Sequence, residues 1–344
     1  DLAWQKTLKK TVGIETRLFK ERISFIVNAY DNTTDPMIVD IGNAPSTGTK
    51  QRMFNIGNSR TKGIDFTVSA AVVDIPEDRF YVRLNFMGKR ESTVFNGLGN
   101  ALELLNKQNA GALDKAGADH DYSNVGVNLQ RYLDGGHPDD LWAVRSVGID
   151  PATGNEMFLT KDGELTYRYD VANIVRVGNS MPLMQGTAGI SAQYKGLSVN
   201  MAFRYMWRSQ QFNSALFNKV ENLDRGQVLT ENLDKRALYD RWKKVGDIAQ
   251  FSRIPNMTQS IIVGNWSAVN MSSRFIQEEN TFSGESLSAT YNFYQASCLK
   301  YFNLQGLNIT AYMNDIFRLS NIQRERGIDY PYARSFSFKL NATF

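Results

Sequence analysis

The chain has one cysteine, Cys298, and two histidines, His120 and His137, among 344 residues. One thiol cannot close an internal disulfide, and a single thiolate cannot anchor a zinc cluster. No run approaches the ~20 consecutive apolar residues of a membrane helix, which excludes helical spanning. Charge of one sign is also scarce. The 39 basic and 35 acidic residues leave only +4, with no Lys/Arg block, so nucleic acid is excluded as a partner. No G-x-S-x-G, H-E-x-x-H or phosphate-cradling glycine loop occurs. These absences give the expectation of a non-enzyme with no catalytic residues, no metal site and no cofactor. Asp119-His120-Asp121 and His137-Pro138-Asp139-Asp140 match no metal-ligand spacing and read as a solvated loop. Asp150-Pro151-Ala152-Thr153-Gly154 reads as turn chemistry.

What the chain does have is alternation. From Ser335 to Phe344, the residues Phe336, Phe338, Leu340, Ala342 and Phe344 share one face, with Ser335, Ser337, Lys339, Asn341 and Thr343 on the other. Eight earlier segments repeat the pattern: 10–18, 22–30, 63–73, 79–88, 187–194, 197–207, 287–294 and 307–316. The result is about nine strands near the ~10-residue length of a tilted strand crossing a bilayer. A mean hydropathy of −0.37 is compatible with this, because membrane-facing and lumen-facing residues cancel in the average.

The connections sharpen the reading. Those after strands one, three, five and seven are short (19–21, 74–78, 195–196, 296–305), and those after strands two, four, six and eight are long (31–62, 89–186, 208–286, 317–334). Strict alternation of short turns and long loops is the habit of outer-membrane barrels, and a soluble Greek key has no reason for it. The expected fold class is therefore all-β: an antiparallel, up-and-down transmembrane β-barrel, with long extracellular loops. An odd set of nine strands would leave open edges in lipid, so residues 1–344 read as the C-terminal part of a larger barrel. Asp1-Leu2-Ala3-Trp4 lacks a signal-peptide layout, so the expectation is either a cytoplasmic chain or a true beginning outside this sequence, the second favoured because Asp1 to Lys10 leads straight into a strand. Tyr30, Tyr81, Tyr194, Tyr205, Trp207, Tyr294 and Phe344 sit where strands end and suggest interfacial girdles.

Five segments in order resemble the SusC/RagA-type TonB-dependent transporters of the Bacteroidota outer membrane. They are Tyr30 to Asp35, Asn55 to Phe66 (an N-x-G-x-x-x-N-K-G-like run with Thr61 for Asn), Trp142 to Gly154, Asp240 to Asp247 (R-W-x-x-x-G-D-like, with Val245 where Pro is common), and Tyr330 to Phe338. Residues 274–291 depart more from the family pattern. The resemblance implies a 22-stranded barrel closed by an N-terminal plug, with plug, TonB-binding segment and signal peptide lying outside this sequence. It implies import of a large nutrient, oligosaccharide or oligopeptide, across the outer membrane of a Gram-negative cell. It also implies the partners: a SusD-like surface lipoprotein as lid, TonB-ExbB-ExbD, the lipids of the outer membrane, and a dimer of transporter–lipoprotein pairs. Phe344, as the terminal aromatic of the last strand, resembles the assembly signal of bacterial barrels.

Two groups of residues are candidates for function. Arg83, Asn85, Asn200, Arg204 and Asn292, with Asn308 and Thr310, are candidate lumen-facing positions. Arg241, Trp242, Lys243 and Lys244 form a candidate loop for contact with a partner or ligand. Two rival readings stay open, a passive porin-like or adhesin-like barrel and a soluble secreted β-protein that binds carbohydrate. The segments do not choose between glycan and peptide.

Overall fold

A computed structural model describes residues 2–42, 48–49, 51–99, 101–102, 105–106, 131–223, 225–254, 272–293, 299, 304–323 and 334–343. Strands β1 (Thr7–Leu18) and β2 (Ile23–Thr34) come first. A small hairpin of β3 (Ile38–Gly42) and β4 (Gln51–Asn55) leads to β5 (Asn58–Ile75) and β6 (Phe80–Asn96). Then come β7 (Asp140–Ile149), β8 (Glu156–Leu159), β9 (Leu165–Thr166) and β10 (Ile174–Asn179). The last five are β11 (Met184–Tyr194), β12 (Leu197–Phe212), β13 (Ile276–Phe293), β14 (Gly306–Ser320) and β15 (Ser335–Thr343).

Nine of these pair antiparallel in the order β1-β2-β5-β6-β11-β12-β13-β14-β15, an up-and-down meander that contains every strand expected from the alternation. Register makes the two faces continuous across the sheet. One row runs Ile23, Ala70, Leu84, Ile190, Met201, Leu287, Met313, Phe336. The adjacent row, on the other face, runs Ala71, Arg83, Ser191, Asn200, Ser288, Tyr312, Ser337. Because side chains alternate with period two, a one-residue slip in any strand would exchange its faces. The rows stay consistent through bulges near Ala71, Ala202 and Gly284.

Burial is inverted relative to a soluble protein. The apolar face of the sheet is open, with Val12, Ile64, Leu84, Phe86 and Phe338 all exposed, whereas fully buried Val144, Val220 and Phe275 belong to the long connections or their junction with a strand. An apolar surface of this extent is unstable in water and at home in lipid. Among the described residues, no helix is long and apolar enough to cross a membrane.

The strands are longer than the alternation indicates, chiefly at the long-loop end. β6 runs on from Gly88 to Asn96, and β13 begins at Ile276, eleven residues before Leu287. Eighteen residues of β13 span roughly 60 Å, well beyond a ~25 Å apolar band even when tilted. Much of that length therefore projects past the band, where both faces meet water and period-two hydrophobicity is no longer required.

The expected girdle needs correction. Tyr194, Tyr205 and Trp207 share the apolar face, but register puts Tyr30 and Tyr81 on the polar one, with Asn28 and Gln193. The Tyr30 ring lies over Gly63, where any Cβ would collide with it, and its hydroxyl donates to Glu91 at 2.8 Å. Glycine is needed at position 63 to admit the ring. Tyr294 and Phe344 lie outside the described residues.

Candidate functional site

The candidate lumen-facing residues share the polar face. Arg83 and Asn200 occupy one row with Ser191 between them, and Asn85 takes a hydrogen bond from Ser69 Oγ at 2.8 Å. Arg204 pairs with Glu285 at 3.3 Å, and Asn292 lies across from Asn308, which faces Asn341. Thr310 and Thr290 bridge through their hydroxyls at 3.0 Å. Toward the long loops the same face carries a tighter network: Asn28 donates to Asp65 at 2.9 Å, and Lys89 to Glu91 at 2.8 Å.

Above the sheet, two of the long connections fold onto each other. β10-β7-β8-β9 form a small antiparallel sheet over Val144, Phe158 and Ile174. The chain from Asn213 to Phe251 packs around Val220, Leu223, Ala237 and Phe251. A buried ion triad joins the two parts. Arg274 contacts Glu156 at 2.9 Å and Glu221 at 2.7 Å, donates to the Gln250 carbonyl at 2.6 Å, and lies over the Phe275 ring. Burial alone would lower the Arg274 pKa, but the two carboxylates hold it above its ordinary value. Ser252 Oγ completes Glu221 at 2.6 Å, and Ser272 Oγ donates to Glu156. The three charges stand 118 and 53 residues apart in the chain, so no local pattern could have revealed them.

The contact loop is only partly what the sequence indicates. Arg241 is buried and spans the carbonyls of Ala237, Val220, Glu221 and Ser252. Its guanidinium binds the fold together and is not presented to a partner, because four backbone acceptors left without it would be unsatisfied in a buried site. Trp242 is half-buried: its Nε1 donates to the Pro151 carbonyl at 2.8 Å, and its ring fills the space where a Cβ on Gly154, at φ +71°, would stand. Lys243 and Lys244 are exposed, and their backbone amides both donate to Asp247, at 3.0 and 2.9 Å. These bonds, chiefly the Lys244 amide, lower the Asp247 pKa. Thus the Arg-Trp…Gly-Asp segment is a self-capped turn that docks on the Asp150–Gly154 turn. There, Asp150 accepts from the Thr153 hydroxyl at 2.7 Å and the Ala152 amide at 3.0 Å, which lowers its pKa.

His137 to Asp140 is not the solvated loop the sequence suggests: none of the four is exposed, and Asp140 opens β7. Asp140 is buried and accepts from the His137 amide at 2.8 Å and Asn179 at 3.0 Å. Asp119, His120 and Asp121 lie outside the described residues, among which no group of three potential ligands could hold a metal ion. A polar cavity of ≈550 Å³ opens where β6 and β11 part, lined by Arg90, Glu91, Asp139, Arg176 and Gln210. Burial raises the pKa of Asp139 there, with Asp140 and Glu91 adding to the effect.

Residues 1–138 match the family model described as TonB dependent receptor-like, beta-barrel. "TonB-dependent receptor P39" of Formosa agariphila is 22% identical over 358 residues, covering 94% of this chain and 32% of the relative. The chain also resembles the solved RagAB peptide transporter, at a TM-score of 0.69 and 17% identity over 94% of this chain and 32% of that one. Against the same importer in its open-open state the TM-score is 0.69, with the whole of this chain and 35% of the other covered. The chain thus spans about a third of the length of the proteins it matches. Family match, relative and the two-faced meander point the same way: the chain is similar to the β-barrel of TonB-dependent receptors.

Proposed function

We propose that the chain is the C-terminal part of the barrel of an active importer, which carries a large nutrient across the outer membrane. The observation that supports this most is the polar face running unbroken across nine strands beneath folded loops. In this reading the polar face lines the lumen, where Arg83, Asn85, Asn200, Arg204 and Asn292 hydrate the path or meet the plug. β1 and β15 each pair on one side only among the described residues. In lipid each unsatisfied backbone group costs several kcal/mol, so the reading requires further strands beside both, toward the 22 that the resemblance implies. An N-terminal plug closes that lumen, TonB-ExbB-ExbD supplies force to it, and a SusD-like lipoprotein caps the loops, in a dimer of such pairs. Phe344 serves as the assembly signal. Cargo is an oligopeptide or an oligosaccharide; the likeness to the RagAB peptide transporter favours the first.

The test is uptake of labelled oligopeptide and oligosaccharide pools by the native organism, with and without this gene and with and without TonB. Loss of uptake in both deletions is the expected result. Uptake that needs this gene but not TonB would leave a passive barrel. Recovery of the protein in the soluble fraction, with no heat-dependent shift on a gel, would leave the soluble carbohydrate-binding alternative.

A further inference from the structure

The apolar face of β1, β2, β5 and β6 ends abruptly. Along β5 it reads Val68, Phe66, Ile64 and then Lys62, Arg60; along β1, Ile14, Val12 and then Lys10, with Leu8 beyond it; along β6, Leu84, Phe86, Gly88 and then Arg90. Register sets these changes side by side. Lys10 faces Asp31, which faces Lys62, with Arg60 one step on and Arg90 across from Ile64. Three cations, Lys10, Lys62 and Arg60, therefore surround one carboxylate on the outward face beyond the apolar band, and Arg90 stands on the neighbouring strand β6, one step nearer that band. Asp31 is taken by Arg60, whose Nε donates to it at 2.8 Å. Lys10, Lys62 and Arg90 are exposed and make no ion pair among the described residues. At the same height β12 and β13 carry instead Arg208 neutralised by Glu278 at 3.2 Å, and Asn280. Among the described residues compared at this height, the unpaired positive charge lies on β1, β5 and β6 and not on β12 or β13.

We infer that this sector is a binding site for the phosphate-bearing head group of an outer-leaflet lipid, whose acyl chains lie on Val12, Ile64 and Phe66 beneath it. Charge complementarity and continuity with the membrane-facing surface select that occupant: an anion tied to hydrocarbon satisfies both halves of the site, and a soluble anion only one. Arg90 also lines the polar cavity between β6 and β11. The inference rests on the barrel reading above.

The experiment uses the full-length protein, purified in mild detergent, delipidated and examined by native mass spectrometry. The probes are lipid A, the same lipid after phosphatase treatment, and inorganic phosphate. The wild type should retain lipid A, should retain the dephosphorylated form at least about tenfold less, and should not release lipid A to millimolar phosphate. The triple variant K10Q/K62Q/R90Q leaves the Arg60–Asp31 pair intact and should bind lipid A on the order of a hundredfold more weakly, from about a factor of five per cation. Equal retention by the variant, indifference to the lipid's phosphate, or displacement by inorganic phosphate would each overturn the site. A normal heat-dependent gel shift in the wild type with any of these results condemns the lipid site alone. Absence of the shift condemns the barrel reading itself.

Discussion

Replacing Arg274 by methionine should unlock the folded loops while leaving the sheet in place. The substitution keeps the stem length and removes the only charge that meets both Glu156 and Glu221 among the described residues. The Glu221 side chain is 1% exposed and that of Glu156 9%, so neither carboxylate can recover its solvation without local opening. Breaking a buried ion cluster by removing one member costs about 3–5 kcal/mol, because the remaining charges stay buried and unpaired. Hydrogen exchange followed by mass spectrometry on the detergent-solubilised protein reads this directly. Amides in 140–160 and 214–252 should lose roughly a hundred- to a thousandfold in protection, with β11 and β14 unchanged. The companion variant E156Q/E221Q/R274M removes all three charges and should recover much of the loss, since neutral replacement of a whole cluster is close to neutral energetically. Unchanged protection in R274M, or no rescue by the triple variant, would refute the triad as the joint between the two loops.

Other consequences follow from contacts already described. Gly63→Ala drives a methyl into the Tyr30 ring and should cost about 1–3 kcal/mol, read as a lower temperature of the heat-dependent gel shift; Tyr30→Phe should cost less, having lost only the Glu91 bond. Trp242→Ala empties the seat on Gly154 and frees the Pro151 carbonyl, so protease should cut near 150 and 245 while the strands resist. Asp150 has a depressed folded pKa, so its contribution to the turn is complete above its unfolded value, ~3.9, and lost as pH falls through the folded one. Protection factors at Ala152 and Thr153, taken relative to the intrinsic exchange rate at each pH, should therefore be flat at neutral pH and fall only in acid, and Asp150→Asn should flatten that acid response. Asp139 has the opposite sign. Its raised pKa means that the ionised form is held at a cost at neutral pH, so Asp139→Asn should modestly strengthen protection of 134–140.

How much of this was legible depended on the length of the repeating physics. Period-two alternation over ten residues set against lipid is a long signal, and it located all nine sheet strands, with Leu197–Trp207 lying inside β12. The signal fades once a strand leaves the apolar band, which is why Lys89–Asn96 and Ile276–Ser286 read as loop although their backbones stay in the ladder. The small sheet of β7–β10 was hidden for a different reason. Leu141, Ala143 and Val144 are all buried, so burial there does not alternate. The Arg-Trp…Gly-Asp segment was visible as a motif, but its role was not. Only the folded chain brings Arg241 to carbonyls some twenty residues upstream and Trp242 to Pro151, 91 residues away. The Arg274 triad left no local trace.

The central claim is that one face of the nine-stranded sheet meets lipid and the other meets water. Single cysteines introduced after Cys298→Ser at consecutive positions test it: Leu84 and Asn85 on β6, Asn200 and Met201 on β12. In intact outer membranes a charged, water-soluble maleimide should label the Asn85 and Asn200 positions. The Leu84 and Met201 positions should resist it, and a bimane attached there in detergent before reconstitution should be quenched by brominated lipid. Labelling that ignores the alternation, or that falls on Leu84 and Met201 instead, would contradict the account.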